Sequence, residues 1–203
     1  MNSADPVRTR LLTVAEELFT RSGYEAVSIR DIVAKAKANL GAVTYHFGSK
    51  QALYHAAFEV ISEPFAELIA SAAKSPGSGL DRVAAVVRAA LTTVPRRGGA
   101  VTCLLRELAN DGPLPPPMLK LMQRNVSVIR GLIEAGQQDG SIRDGDPTLL
   151  ALSAISQPFY FKIASRGLEQ ALGVKRDDPA QWMRVVDHVA HSVRRTLARE
   201  RAS

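Results

Sequence analysis

The sequence predicts an all-α protein that opens with a helix-turn-helix. Apolar residues recur at three- and four-residue steps along almost the whole chain, and no run alternates apolar and polar residues between turns as a strand would. The segments defined in this way are separated by glycine- and proline-rich turn chemistry. At 203 residues the chain has room for one or two domains with a substantial core. Its 46% hydrophobic and 23% charged composition excludes a disordered tail and fits a soluble globular protein.

The first helix is expected over Val7 to Arg21. Val7, Leu11, Val14, Ala15, Leu18 and Phe19 form one stripe, and Ser22-Gly23 supplies the stop. Its polar face carries Arg8, Arg10 and Glu17. A second, short helix begins at Ser28, with Asp31 three residues on in capping-box spacing, and runs through Ile29, Ile32 and Val33 to Ala36. After a brief turn Asn39 is placed to cap a third short helix, Leu40 to Phe47, which Gly48-Ser49 ends. Two short helices joined by a tight turn make the helix-turn-helix pattern.

Longer helices are expected at Ser49 to Ala73, Gly79 to Val94, Gly99 to Ala109, Pro116 to Asp139, Pro147 to Leu172 and Pro179 to Arg199. Ser75-Pro76-Gly77-Ser78-Gly79, Pro95, Asp111-Gly112-Pro113, Pro115-Pro116-Pro117, Asp139-Gly140, Gly145-Asp146-Pro147 and Asp177-Asp178-Pro179 break the chain between them. No internal repeat is present.

Lys and Arg number 26 against 20 Asp and Glu, a net charge of +6. That suits a polyanionic partner but is common among soluble proteins. Residues 1–58 hold seven Lys or Arg against five Asp or Glu, which favours specific, salt-sensitive binding over general coating of nucleic acid. Cys103 is the one cysteine, so no intramolecular disulfide forms, and residues 1–6 lack the apolar stretch of a signal peptide. The longest uncharged run, Pro147 to Phe161, is too short and too polar to span a bilayer. A cytoplasmic location without a membrane partner is expected.

The stretch Val27-Ser28-Ile29-Arg30-Asp31-Ile32-Val33-Ala34-Lys35-Ala36, followed by Leu40-Gly41-Ala42-Val43-Thr44-Tyr45-His46-Phe47-Gly48-Ser49-Lys50-Gln51-Ala52-Leu53, resembles the DNA-binding domain of the TetR family of transcriptional regulators. The likeness covers roughly residues 7 to 55 and includes Gly23-Tyr24 after the first helix. It implies a DNA-binding domain over residues 1–55 and a helical ligand-binding and dimerisation domain over residues 56–203. A recognition helix of about eight residues fits the major groove, with its N-terminal half at the base edges. Leu40, Gly41, Ala42 and Thr44 are therefore the expected readers, and with so few polar groups readout leans on apolar contact and DNA shape.

Tyr45 and His46, by the resemblance, hold phosphates, with Lys50 and Ser28 as further phosphate contacts. Second readings stay open: His46 as a packed residue, Thr44 as merely solvent-facing, Ser28 as a helix cap, Arg8 and Arg10 as a solvated face. The family usually carries glycine where this chain has Lys37, in a turn that calls for a left-handed backbone.

In the second half, Leu149, Leu152, Ala154, Ile155, Phe159, Ile163, Trp182, Val185, Val186, Val189 and Val193 supply apolar stripes for intrachain core and for a homodimer bundle. Leu104-Leu105-Arg106-Glu107-Leu108 and Ser156-Gln157-Pro158-Phe159-Tyr160 are similar to the C-terminal domain of the CecR-like subgroup. Arg106, Glu107, Gln157 and Tyr160 are polar groups within apolar helices, and Arg106, Gln157 and Tyr160 are the candidate ligand contacts; a core network accounts for them equally. His188 and His191 lack the companions of a metal site, and Cys103 reads as a small core residue.

No phosphate loop, nucleophile elbow or catalytic carboxylate pair appears. The expectation is a regulator without catalytic residues, metal or cofactor. It is a ligand-responsive repressor that binds a palindromic double-stranded DNA operator as a homodimer and answers to a small-molecule effector. A nonspecific nucleoid protein or an activator sharing the fold is the alternative.

Overall fold

A computed structural model describes residues 5–92, 99–109, 112–175 and 177–199. Among these residues the regular structure is helical: α1 (Pro6–Ser22), α2 (Ile29–Ala36), α3 (Gly41–Phe47), α4 (Lys50–Ala72), α5 (Gly79–Thr92), α6 (Ala100–Leu108), α7 (Pro116–Gln138), α8 (Pro147–Leu172) and α9 (Pro179–Leu197). The all-α expectation holds.

Three helices begin the same way. Asp5, Asp146 and Asp178 each cap a helix whose first residue is proline, and the carboxylate accepts the free N–H groups of the opening turn. Proline at that position has no N–H to leave unsatisfied and already has a helical φ. Most boundaries lie within one or two residues of expectation, and two of the shifts have a visible cause. The helix α9 stops at Leu197 because Ala198 turns extended and forms an antiparallel bridge with Ile142. The helix α3 starts at Gly41, and no side chain caps it; the Asn39 main-chain carbonyl, not its amide side chain, receives the Ala42 N–H at 3.1 Å.

The chain forms two compact units. One comprises residues 1–64 and 95–121, the other residues 65–94 and 122–203. In the first, α1 packs on α2, α3 and α6. Leu11, Ala15, Leu18 and Phe19 of α1 meet a core that includes Ile32, Val33, Val43, Leu53 and Phe58, all buried. The second unit is built on α5, α8 and α9, with Val83, Val87, Ile133, Trp182, Val186 and Val189 in its core. There the Trp182 Nε1–H donates to the Leu91 carbonyl at 3.1 Å. Gly79 lies so close to Gly136 that a Cβ on Gly79 would sit 2.4 Å from it. Among the described residues no helix is long and apolar enough to cross a membrane.

Candidate nucleic-acid interface

Ser28 starts α2 as the spacing predicts. Its Oγ accepts the Asp31 N–H at 3.1 Å, while the Asp31 carboxylate accepts the Ser28 N–H at 3.0 Å and the Ser28 hydroxyl at 2.6 Å. These bonds, the hydroxyl's foremost, hold the Asp31 carboxyl below its ordinary range. Both donors of exposed Ser28 therefore already serve Asp31, and a phosphate must compete with that carboxylate.

At the end of α2 the chain reverses through Lys37, at φ 51° and ψ 49°, the one non-glycine residue with positive φ among those described. Its N–H bonds the Ala34 carbonyl, and the Ala38 N–H bonds the Val33 carbonyl at 2.9 Å, the pair of bonds of a Schellman stop. The turn keeps the left-handed geometry usually assigned to glycine.

The orientation of α3 follows from what it buries. Val43 is fully buried and Ala42 is 7% exposed. Leu40 at 57%, Gly41, Thr44 and Tyr45 at 84% share the outward side. Ala42 is thus a correction to the expected set of readers: its methyl is packed in the core, one residue from the face that meets solvent. His46 is also placed otherwise than expected. Its side chain is 10% exposed, with Nε2 3.7 Å from an Asp5 carboxylate oxygen, so its ring packs at the start of α1 instead of facing outward.

Lys50 opens α4 with Nζ 4.1 Å from the centre of the Tyr24 ring, a cation held over an aromatic face. Tyr24 was not singled out as a site residue; its only signal in the sequence was its place after Gly23. Arg8 lies over the Phe47 ring at 5.1 Å, and Arg10 Nε donates to the Ala36 carbonyl at 3.3 Å. Arg8 and Arg10 are thus engaged within the unit.

For Arg106 on α6 the structure shows the core network that the sequence left open beside a ligand contact. Its guanidinium donates to the carbonyls of Phe19 at 3.3 Å, Thr20 at 3.0 Å and Arg21 at 3.0 Å. Those carbonyls lie in the last turn of α1, where Thr20 and Arg21 have no donor four residues on within the helix and Phe19 also accepts the Gly23 N–H at 2.8 Å, and a cation there meets the negative end of the helix dipole. The neighbouring Glu107 accepts the Tyr54 hydroxyl at 2.8 Å. Burial, then this bond, pushes the Tyr54 phenol pKa far up. Cys103 is buried, and burial raises its thiol pKa.

Residues 11–57 match the family model of bacterial regulatory proteins of the tetR family. The chain is 27% identical over 194 residues to the transcriptional repressor NicS of Pseudomonas putida, covering 92% of both. A transcriptional repressor of Mycobacterium tuberculosis is 36% identical over 89 residues, 43% of this chain and 47% of that one. A TetR transcriptional regulator from Chloroflexus aurantiacus superposes with a TM-score of 0.74 at 25% identity, over 98% of this chain and all of that one. Residues 11–57 are thus a TetR-type DNA-binding domain. Like its relatives, the chain is a DNA-binding transcriptional regulator and not an enzyme.

The remaining ligand candidates, Gln157 and Tyr160, lie on α8 in the second unit. Gln157 is half-buried, and Tyr160 is exposed with its ring edge-on to Phe161. A cleft of about 400 Å³ in that unit is lined by Phe161, Leu172, Val174, Gln181, Arg184 and His188, among others, and by neither candidate. Among the described residues no cluster of three His, Cys, Asp or Glu is set to hold a metal.

Proposed function

We propose that the protein is a ligand-responsive repressor that binds a palindromic operator as a homodimer. The observation that carries the DNA-binding part is the outward side of α3, where Leu40, Gly41, Thr44 and Tyr45 face solvent on a helix anchored by buried Val43. Seven residues are short enough to lie in a major groove, with Leu40 meeting a thymine methyl, Gly41 admitting close approach and Thr44 supplying a hydroxyl. Tyr45 and Lys50 then hold phosphates, and Ser28 joins them by exchanging Asp31 for a phosphate oxygen. Residues 1–55 carry this activity and residues 56–203 carry dimerisation and effector binding.

The dimer reading is supported by Leu149, Leu152, Tyr160 and Ile163, exposed on one narrow arc of α8, with Met183 exposed on α9. The effector reading is supported by a structural neighbour, AibR, whose structure holds isovaleryl coenzyme A and operator DNA. Effector binding in the helical unit shifts the population toward a dimer whose reading helices no longer fit successive grooves.

The test is salt-dependent binding of the purified protein to DNA fragments from around its own coding sequence, with random DNA as competitor. One palindromic fragment should be bound at least a thousandfold more tightly than random DNA. Tyr45→Ala and Lys50→Ala should each weaken that binding about tenfold, with unchanged melting temperature. Equal affinity for all fragments overturns the operator reading, and full affinity in both variants overturns the site.

A further inference from the structure

The two α6 side chains Arg106 and Glu107 act on the end of α1 and on Tyr54 of α4, and their contacts form a continuous path. Arg106 seats α6 on the end of α1: its guanidinium holds the Phe19, Thr20 and Arg21 carbonyls of the last turn. The turn that follows passes beside its stem: a Cβ on Gly23 would lie 3.4 Å from Arg106 Cδ, and the φ of 84° there favours glycine. One residue on, Glu107 fixes the Tyr54 hydroxyl at 2.8 Å. Tyr54 is 4% exposed, and its ring centre lies 5.0 Å from that of Tyr24 and 5.0 Å from that of Phe19. The far side of this aromatic group ends at Lys50, whose ammonium sits 4.1 Å from the Tyr24 ring centre.

We propose that Glu107, Tyr54 and Tyr24 are positioning residues for DNA binding: they hold the Lys50 ammonium over the Tyr24 ring, ready for a DNA phosphate, with Arg106 anchoring the helix from which the path starts. Lysine is the side chain most in need of such a device, because four rotatable bonds leave its charge spread over many positions unless a partner confines it. A ring face confines an ammonium without neutralising it, so the charge stays available to a phosphate. A buried phenol in turn keeps one orientation only while its hydroxyl has an acceptor, and Glu107 is that acceptor. This inference rests on Lys50 contacting phosphate, as proposed above.

The experiment uses the full-length protein and a duplex that the wild type selects from a random-sequence library. Glu107→Met, Tyr54→Phe, Tyr24→Leu, Lys50→Ala and the double variant Glu107→Met/Lys50→Ala are compared by affinity across a salt series and by thermal melting. Glu107→Met, which removes the acceptor oxygen at similar side-chain size, and Tyr54→Phe, which removes the hydroxyl, should each weaken binding about threefold to tenfold and lower the salt slope by up to about one, as Lys50→Ala does. In the Lys50→Ala background Glu107→Met should change affinity less than about twofold, because the group it positions is gone. A purely structural bond predicts instead that the two losses multiply and that the salt slope of Glu107→Met stays at the wild-type value; either result overturns the proposal. Tyr24→Leu keeps the test decisive if a Glu107 variant melts early, since it removes the ring face directly. A wild type that selects no duplex overturns the DNA-binding reading itself, whereas selection followed by multiplying losses overturns only the positioning path.

Discussion

Lys37 spends its native life in a conformation that L-residues avoid by roughly 1–2 kcal/mol, and the two main-chain bonds of the α2 stop hold it there. Glycine has no such penalty but loses more backbone entropy on folding. Lys37→Gly should therefore stabilise the protein by about 0.5–1 kcal/mol, a rise in melting temperature of roughly 1–4 °C for a chain of this size. An unchanged or lower melting temperature would show that the turn carries no strain. Ser28 offers a second test at the same scale. Ser28→Ala forfeits the cap at about 1 kcal/mol, whereas Ser28→Gly costs only a few tenths. Equal losses of DNA affinity in the two variants, despite unequal stability, would assign the hydroxyl to a phosphate; losses that follow stability would leave it as a cap. The capping role was legible in the spacing from Ser28 to Asp31. That both of its donors go to one carboxylate was not, because rotamers and hydroxyl directions are set by the folded surroundings.

Among the elements, α5 and α9 pack closely in the second unit and share an ion pair whose acid is unusually strong. The Arg194 guanidinium, then the Ser78 hydroxyl and amide, hold the Asp81 carboxyl down to about 2. Its folded pKa lies below its unfolded one, so the stabilisation is fully present above about pH 4 and is lost as the pH falls from there toward 2. Asp81→Asn should lower stability at neutral pH and flatten the acid limb of a stability-versus-pH curve. A variant curve parallel to that of the wild type across this window would show that the pair contributes nothing. The helix α6 carries a different lesson. A charged Arg106-Glu107 pair inside an apolar helix announces that partners exist, but the periodicity is silent on whether a ligand, a second copy or another helix supplies them. The partners here are the end of α1, 85 to 87 residues away in the chain, and Tyr54, 53 residues away.

At the scale of the whole molecule, the proposed two-fold dimer needs an apolar face that a single chain leaves uncovered, and the α8 residues Leu149, Leu152, Tyr160 and Ile163 are exposed. Ile163→Glu should place two like charges in the interface and give a monomer in sedimentation, with operator affinity falling because only one half-site is engaged. A dimer that persists in Ile163→Glu would put the interface elsewhere.

The sequence by itself determined the helices, their starts and stops to within a few residues, and the helix-turn-helix with the family it resembles. These rest on interactions spanning three to five residues: aspartate and serine caps, proline at the first position, glycine at the stops, apolar side chains on one stripe. Only the tertiary structure decided that Ala42 and His46 turn inward while Tyr45 turns out, that Arg106 closes α1 instead of meeting a ligand, and that Tyr24 holds Lys50. Each of these depends on which distant group the fold brings within hydrogen-bonding or packing distance, and a polar side chain with several donors takes whatever acceptors the finished core leaves unsatisfied.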